Sequence, residues 1–193
     1  RHGWQQLEGP FVATRTEKNV IHELNWQNAF DLYKEVIDQD CTIPITKDNF
    51  FDIAKAYPFG IFKENSEDIV RDPIAVDENG ALVCVGEVPE NTVLYILKGE
   101  KNALISSAKR AAEDTLSEDM PEIAQTLIVD CISRTLFLEN DFSEELKVVS
   151  ECFNKTNQPI HPQGILTLGE ISSYGEGYLE FFNKTIVIGT FFK

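Results

Sequence analysis

Residues 164–193 read Gly164-Ile-Leu-Thr-Leu-Gly169-Glu170-Ile-Ser-Ser, then Tyr174-Gly-Glu-Gly177, then Tyr178-Leu-Glu-Phe-Phe-Asn183-Lys-Thr185-Ile-Val-Ile-Gly-Thr-Phe-Phe-Lys193. Two runs rich in β-branched and aromatic residues flank a polar break with two glycines, which is the pattern of two antiparallel strands. Side chains alternate along a strand, so Ile165, Thr167 and Gly169 are expected on one face. Leu166, Leu168, Glu170 and Ser172 are expected on the other. Glu170 then follows two leucines onto an apolar face, where a carboxylate is costly to desolvate unless something pairs with it. Gly169 beside it removes a side chain and lets another group approach.

Working outward, 193 residues suffice for one large domain or one domain with part of another. The chain is 42% apolar, a globular composition, and its formal charge is −15. That sign disfavours nucleic acid and anionic membranes as partners, since phosphates are held by Lys and Arg. No run approaches the eighteen or so apolar residues of a membrane span, and no secretory leader opens the sequence. The chain starts at Arg1, without Met, and is expected to be a piece of a longer protein. Cys41, Cys84, Cys131 and Cys152 lack the spacing of a zinc or redox motif, which fits a reduced, cytoplasmic setting. The triplets Asn154-Lys-Thr156 and Asn183-Lys-Thr185 match the glycosylation sequon, which has no consequence in that compartment.

Along the chain, Phe11–Thr16 and Asn19–Asn25 read as strands. A helix capped by Asn25 or Asn28 follows, with Ala29, Phe30, Tyr33, Val36 and Ile37 at helical spacing. A short helix from Thr46 carries Phe50, Phe51, Ile53, Ala54 and Tyr57. Phe59–Phe62, Ile69–Val76, Ala81–Glu87 and Val93–Leu97, joined by short breaks including Asn79-Gly80, are expected to form an antiparallel meander. Residues Gly99–Ser117 read as a helix. The apolar run Thr126–Ser133 reads as a central strand covered on both faces. A last helix starts near Asp141 or Ser143, with Leu146, Val149, Cys152 and Phe153 as its apolar stripe. Helices fall between groups of strands, so the fold class is α+β: a mixed, mainly antiparallel sheet packed with helices.

The chemistry-bearing residues are few. No phosphate loop, HExxH or GxSxG is present, and no nucleophile, base and cofactor loop assemble from neighbouring motifs, so a binding role is expected and not an enzyme. Arg134 follows the apolar run Leu127–Ile132. It either pairs structurally with a local acid, or stands at a pocket mouth and grips a carboxylate with its planar fork. Arg71 interrupts an apolar strand in the same way.

Tyr57-Pro-Phe-Gly60, Ile69-Val-Arg71, Val85-Gly86-Glu-Val88-Pro89, Asp130-Cys131-Ile-Ser-Arg134, Gly164–Ile171 and Asn183-Lys-Thr185, in that order, resemble the C-terminal half of the FIST domain. Gly3-Trp4 and the Thr-containing strand after it resemble the end of the N-terminal half. The resemblance implies a division into 1–38, the end of the N-terminal half with the connecting helix, and 39–193, the C-terminal domain. Asn91-Thr92 and Ser133 stand where the family pattern expects glycine. The resemblance further implies a cytoplasmic sensory module that binds a small molecule, amino acids among the proposed ligands, and signals to a downstream protein or domain. Arg71, Cys131, Arg134, Glu170 and Asn183 are then the expected ligand-binding residues, with no cofactor or metal. Two alternatives stay open: a haem-bearing nitric-oxide sensor, for which His161 is the candidate axial ligand, and a protein-interaction module without a small ligand.

Overall fold

In the computed structural model, residues 1–64, 66–117, 120–154, 160–173 and 178–193 are described. The 174–177 break and residues 155–156 of the first sequon lie outside them. The chain divides into two compact units, Gln5–Lys98 and Arg1–Trp4 with Gly99–Lys193. The expected division at 38/39 falls inside the first helix.

The unit Gln5–Lys98 is built on antiparallel strands. They are β1 (Gln5–Glu17), β2 (Val20–Leu24), β3 (Gln27–Asn28), β4 (Phe59–Ile61), β5 (Ile69–Val76), β6 (Leu82–Val85) and β7 (Val93–Lys98). Their order is β1-β7-β4-β5-β6-β2-β3, and β1 also pairs with β2, so the sheet closes on itself. The expected meander holds for β4, β5 and β6. β7 instead returns to the far side of β4 and pairs with β1 as well. Its Leu94, Ile96 and Leu97 are buried, which suits an interior strand better than an edge.

Helix α1 (Ala29–Asp40) starts where Asn28 Oδ1 accepts hydrogen bonds from the N–H groups of Phe30 and Asp31. α2 is shorter than expected, Phe50–Ala54. Thr46–Asn49 form a turn instead, with Asn49 Oδ1 accepting from the Thr46 N–H at 2.7 Å. Such side-chain capture of backbone competes with helix formation. Tyr33, Phe50 and Phe59 pack in the core of this unit, with ring centroids 5.4–5.8 Å apart.

The second unit carries α3 (Lys101–Glu113), β8 (Ile123–Cys131), α4 (Ile132–Leu138), a 3₁₀ turn (Glu139–Asp141) and α5 (Phe142–Asn154). Strands β9 (Gln163–Thr167), β10 (Glu170–Ser172), β11 (Glu180–Phe182) and β12 (Ile186–Phe192) follow. β8 is the centre of a three-stranded sheet, parallel to β9 on one side and antiparallel to β12 on the other. The two C-terminal runs therefore do not form one long hairpin. Each is cut, at Leu168-Gly169 and at Asn183–Thr185, and only the short β10 and β11 pair with each other. The longer pieces flank β8. The cut also parts residues expected on one face: Leu166 and Leu168 are exposed while Glu170 is buried. Behind the sheet, α3 and α5 close a core of Ala108, Ala112, Ile128, Val149, Phe153 and Ile186.

A buried charge network beside an apolar cavity

The functional geometry of the second unit begins where β8 turns directly into α4. The sequence reading put Arg134 at a strand end. It lies instead in the first turn of a helix, with Cys131 at its cap position. Arg134 is completely buried. Its Nη1 donates to the carbonyls of His2 at 2.5 Å and Lys184 at 3.3 Å, and Nη2 to Leu104 O at 3.2 Å and to Glu145 Oε2. Nε donates to Glu145 Oε1 at 3.4 Å. All five guanidinium donors are thus engaged. Burial alone would lower the Arg134 pKa, but the Glu145 and Asp130 carboxylates outweigh it and the net shift is upward. Of its two open roles, the geometry shows the pairing with local acids.

Asp130, four residues before Arg134 and near the end of β8, is 2% exposed. Its Oδ1 lies 3.4 Å from Arg134 Nε, whose hydrogen is directed at Glu145. Neither Asp130 oxygen receives a hydrogen bond. Desolvation raises its pKa to about 8; Arg134 opposes the shift and the Glu145 and Glu170 charges add to it. A protonated Asp130 can donate to Glu145, which explains how two carboxylates share this space. One Asp130 oxygen is still left as an acceptor without a donor.

Glu170 sits across from these groups at the start of β10. Its oxygens accept from the hydroxyls of Thr167 at 2.8 Å and Thr185 at 2.7 Å. Burial raises its pKa, and those hydrogen bonds hold the rise down. The Cys131 thiol is buried beside it and pushed up to about 11 by desolvation and the Glu170 charge. Asn183 is fully buried, its Nδ2 donating to Leu168 O at 3.2 Å and its Oδ1 without a donor. Buried there, the second sequon cannot carry a glycan in the folded chain. Lys184 is also buried, with Nζ 4.9 Å from the centroid of the Trp4 ring.

Four of the five expected residues, Cys131, Arg134, Glu170 and Asn183, therefore converge in one unit. Arg71 lies in the other. It is buried on β5 and donates to Glu87 O at 2.8 Å and Val70 O at 3.0 Å. His161 is exposed in the loop before β9, between Ile160 and Pro162. Asp130, Glu145, Thr167, Lys184 and Thr185 were not singled out as site residues. Glu145 was legible: it stands four and seven residues before Val149 and Cys152, on the buried stripe of α5. Leu146, expected on that stripe, is 38% exposed instead.

Two cavities adjoin the network. One of about 390 Å³ is lined by Ser172, Phe182, Thr185 and Ile186 among others. The second, about 290 Å³, lies between α5 and the β8–β9 pair. Its walls are Phe142 and Leu146 from α5, Ile128 from β8, and Ile165 and Leu166 from β9, with Asp130 at the polar end.

The family model described as FIST C domain matches residues 29–173. No curated protein and no solved structure matches. Among the described residues no helix is long and apolar enough to cross a membrane.

Proposed function

We propose, from the premise that the chain belongs to the FIST C domain family of sensory-type domains, that it is a small-ligand sensor of a signal-transduction protein. Its ligand is a small ammonium-bearing metabolite, amino acids included, and a downstream protein or domain reads its occupancy. One observation carries this reading. Asp130 belongs at once to the buried network with Arg134, Glu145 and Glu170 and to the wall of the 290 Å³ cavity. A ligand there changes the field at residues that hold α4, α5 and β10 together, which is a physical route from occupancy to fold. A binding domain is favoured over an enzyme because the Cys131 thiol is buried and held protonated. Four free cysteines fit a reducing, cytoplasmic compartment.

The test is calorimetric titration of the full-length protein with a panel of amino acids, amines and keto acids, followed by hydrogen exchange with any binder. Saturable binding that increases protection of α4 and β10 is the expected result. No binding across the panel would leave the protein-interaction module as the better reading.

A further inference from the structure

The cavity between α5 and the β8–β9 pair has a chemistry that narrows its occupant. Phe142, Leu146 and Ser150 recur at intervals of four on α5 and so present one face of the helix to it. Ile128, Ile165 and Leu166 form the facing wall, and Leu146, Ile165 and Leu166 remain 38–56% exposed. Apolar surface left open around a recess is stabilised by an apolar occupant. At about 290 Å³ the volume lies at the small end of ligand sites, below that of most cofactor pockets.

The polar end is one-sided. Asp130 is 98% buried, yet neither of its carboxyl oxygens receives a hydrogen bond. An acceptor left so is destabilising until a donor arrives. Among the described residues that line the cavity, none carries a positive side chain. Arg134, the nearest guanidinium, has its five donors committed to Glu145 and to three carbonyls. The site therefore offers a charged partner for an ammonium, and for a carboxylate no positive charge, only the neutral Ser150 hydroxyl.

Resting on the sensory reading above, we infer that this cavity binds a small primary amine with an apolar body, its ammonium held by Asp130, and selects it over the amino acid of the same side chain. The ammonium takes the place of the proton that Asp130 directs at Glu145, and that proton leaves to water. Arg134 on α4, Glu145 on α5 and Glu170 on β10 are the other charges acting at this position. The apolar body lies between Leu146 and Ile165. A carboxylate on the same carbon would enter beside Asp130 and Glu145 with no positive charge to meet it, which is the basis of the selection.

Calorimetric titration of the full chain tests this with isoamylamine, leucine and isocaproic acid, which share one branched body. Isoamylamine is expected to bind, leucine at least about tenfold more weakly, and isocaproic acid with no measurable heat. Asp130→Asn keeps the shape and removes the charge, and is expected to weaken isoamylamine roughly tenfold or more. Leu146→Trp, placed at a partly exposed rim position and checked for folding by circular dichroism, fills the recess and is expected to abolish binding. The inference is overturned if wild type leaves isoamylamine unbound, binds leucine more tightly, or binds isoamylamine no better than both variants do. Leucine binding that ignores both substitutions would overturn the inference and leave the sensory reading standing. Absence of binding by every ligand in this and the wider panel would remove both.

Discussion

Asp130, Arg134 and Glu145 form a buried triad in which one cation faces two carboxylates, and the proton on Asp130 settles the imbalance. The consequence for stability has a definite sign. The Asp130 pKa is raised from 3.8 in the unfolded chain to about 8 in the fold, so between those values the native state binds more protons. Its contribution is fully present below about 3.8 and is lost as pH rises through about 8. Asp130→Asn, which stays neutral and can still donate to Glu145, should flatten the fall in melting temperature between pH 5 and pH 9 by comparison with wild type; parallel profiles would show that Asp130 is ionised throughout. Arg134→Met should destabilise by about 3–5 kcal/mol, because Glu145 is left as an uncompensated buried charge. The double variant Arg134→Met with Glu145→Leu should recover much of that loss, as read by urea denaturation. Additive losses would argue against the pair acting as a unit. Arg134 and Glu170 were legible as costly charges in apolar runs. Asp130 was not, because β8 reads as a continuous apolar strand whichever acid ends it.

At the scale of elements, caps and cuts decide more than propensity does. Asn28 caps α1 with Oδ1 and also donates from Nδ2 to Asn79 O at 2.8 Å, tying the helix start to the turn before β6. Asn28→Ala should therefore cost about 1–2 kcal/mol, the upper part of the range for lost caps. Thermal unfolding measures it, and a change below the resolution of the method would mean that the tie to Asn79 contributes nothing. The C-terminal strands were legible as strands but not as partners. At Gly169 an added Cβ would meet the Phe181 ring at 2.3 Å and Phe182 O at 3.0 Å, so the ring of β11 fills the space a side chain would take. That close approach marks where β9 leaves the sheet and β10 begins. The alternation of apolar and polar residues changes phase there, from Leu166 and Leu168 to Ile171, with Gly169 at the change, so the cut leaves a trace in the sequence. In α5 the helical period does place Glu145 on the buried side, and its partner Arg134 supplies the reason it can stay there.

For the whole molecule, we expect stability to rest on the two packed cores, without covalent or metal staples. Cys41, Cys84, Cys131 and Cys152 are not joined in disulfides, and the described residues hold no group of three or more metal-ligating side chains. Cooperative unfolding followed by circular dichroism should be unchanged by reductant and chelator together, and loss of the transition on adding either would contradict this. The acidic balance of −15 is carried largely at the surface, while buried charges occur in both units: Asp68, Arg71 and Asp72 in one, and Asp130, Arg134, Glu145, Glu170 and Lys184 in the unit that ends the chain. By itself the sequence determined the α+β class, most helices and strands, and Arg71, Arg134 and Glu170 as charges in or beside apolar runs. The family, and Cys131 and Asn183 as residues of interest, came from the resemblance of its motifs. The class, the elements and the charges follow from local periodicity, turn chemistry and the cost of isolated charges, all of which are written in short stretches. Only the tertiary structure decided that β7 returns to β4, that β9 and β12 take opposite sides of β8, and that Arg134 is held by Glu145. It also decided that Asp130 stands at the wall of a cavity. Those are pairings between different elements, where the deciding quantity is which group reaches which once burial has removed water, and local periodicity carries no signal for that.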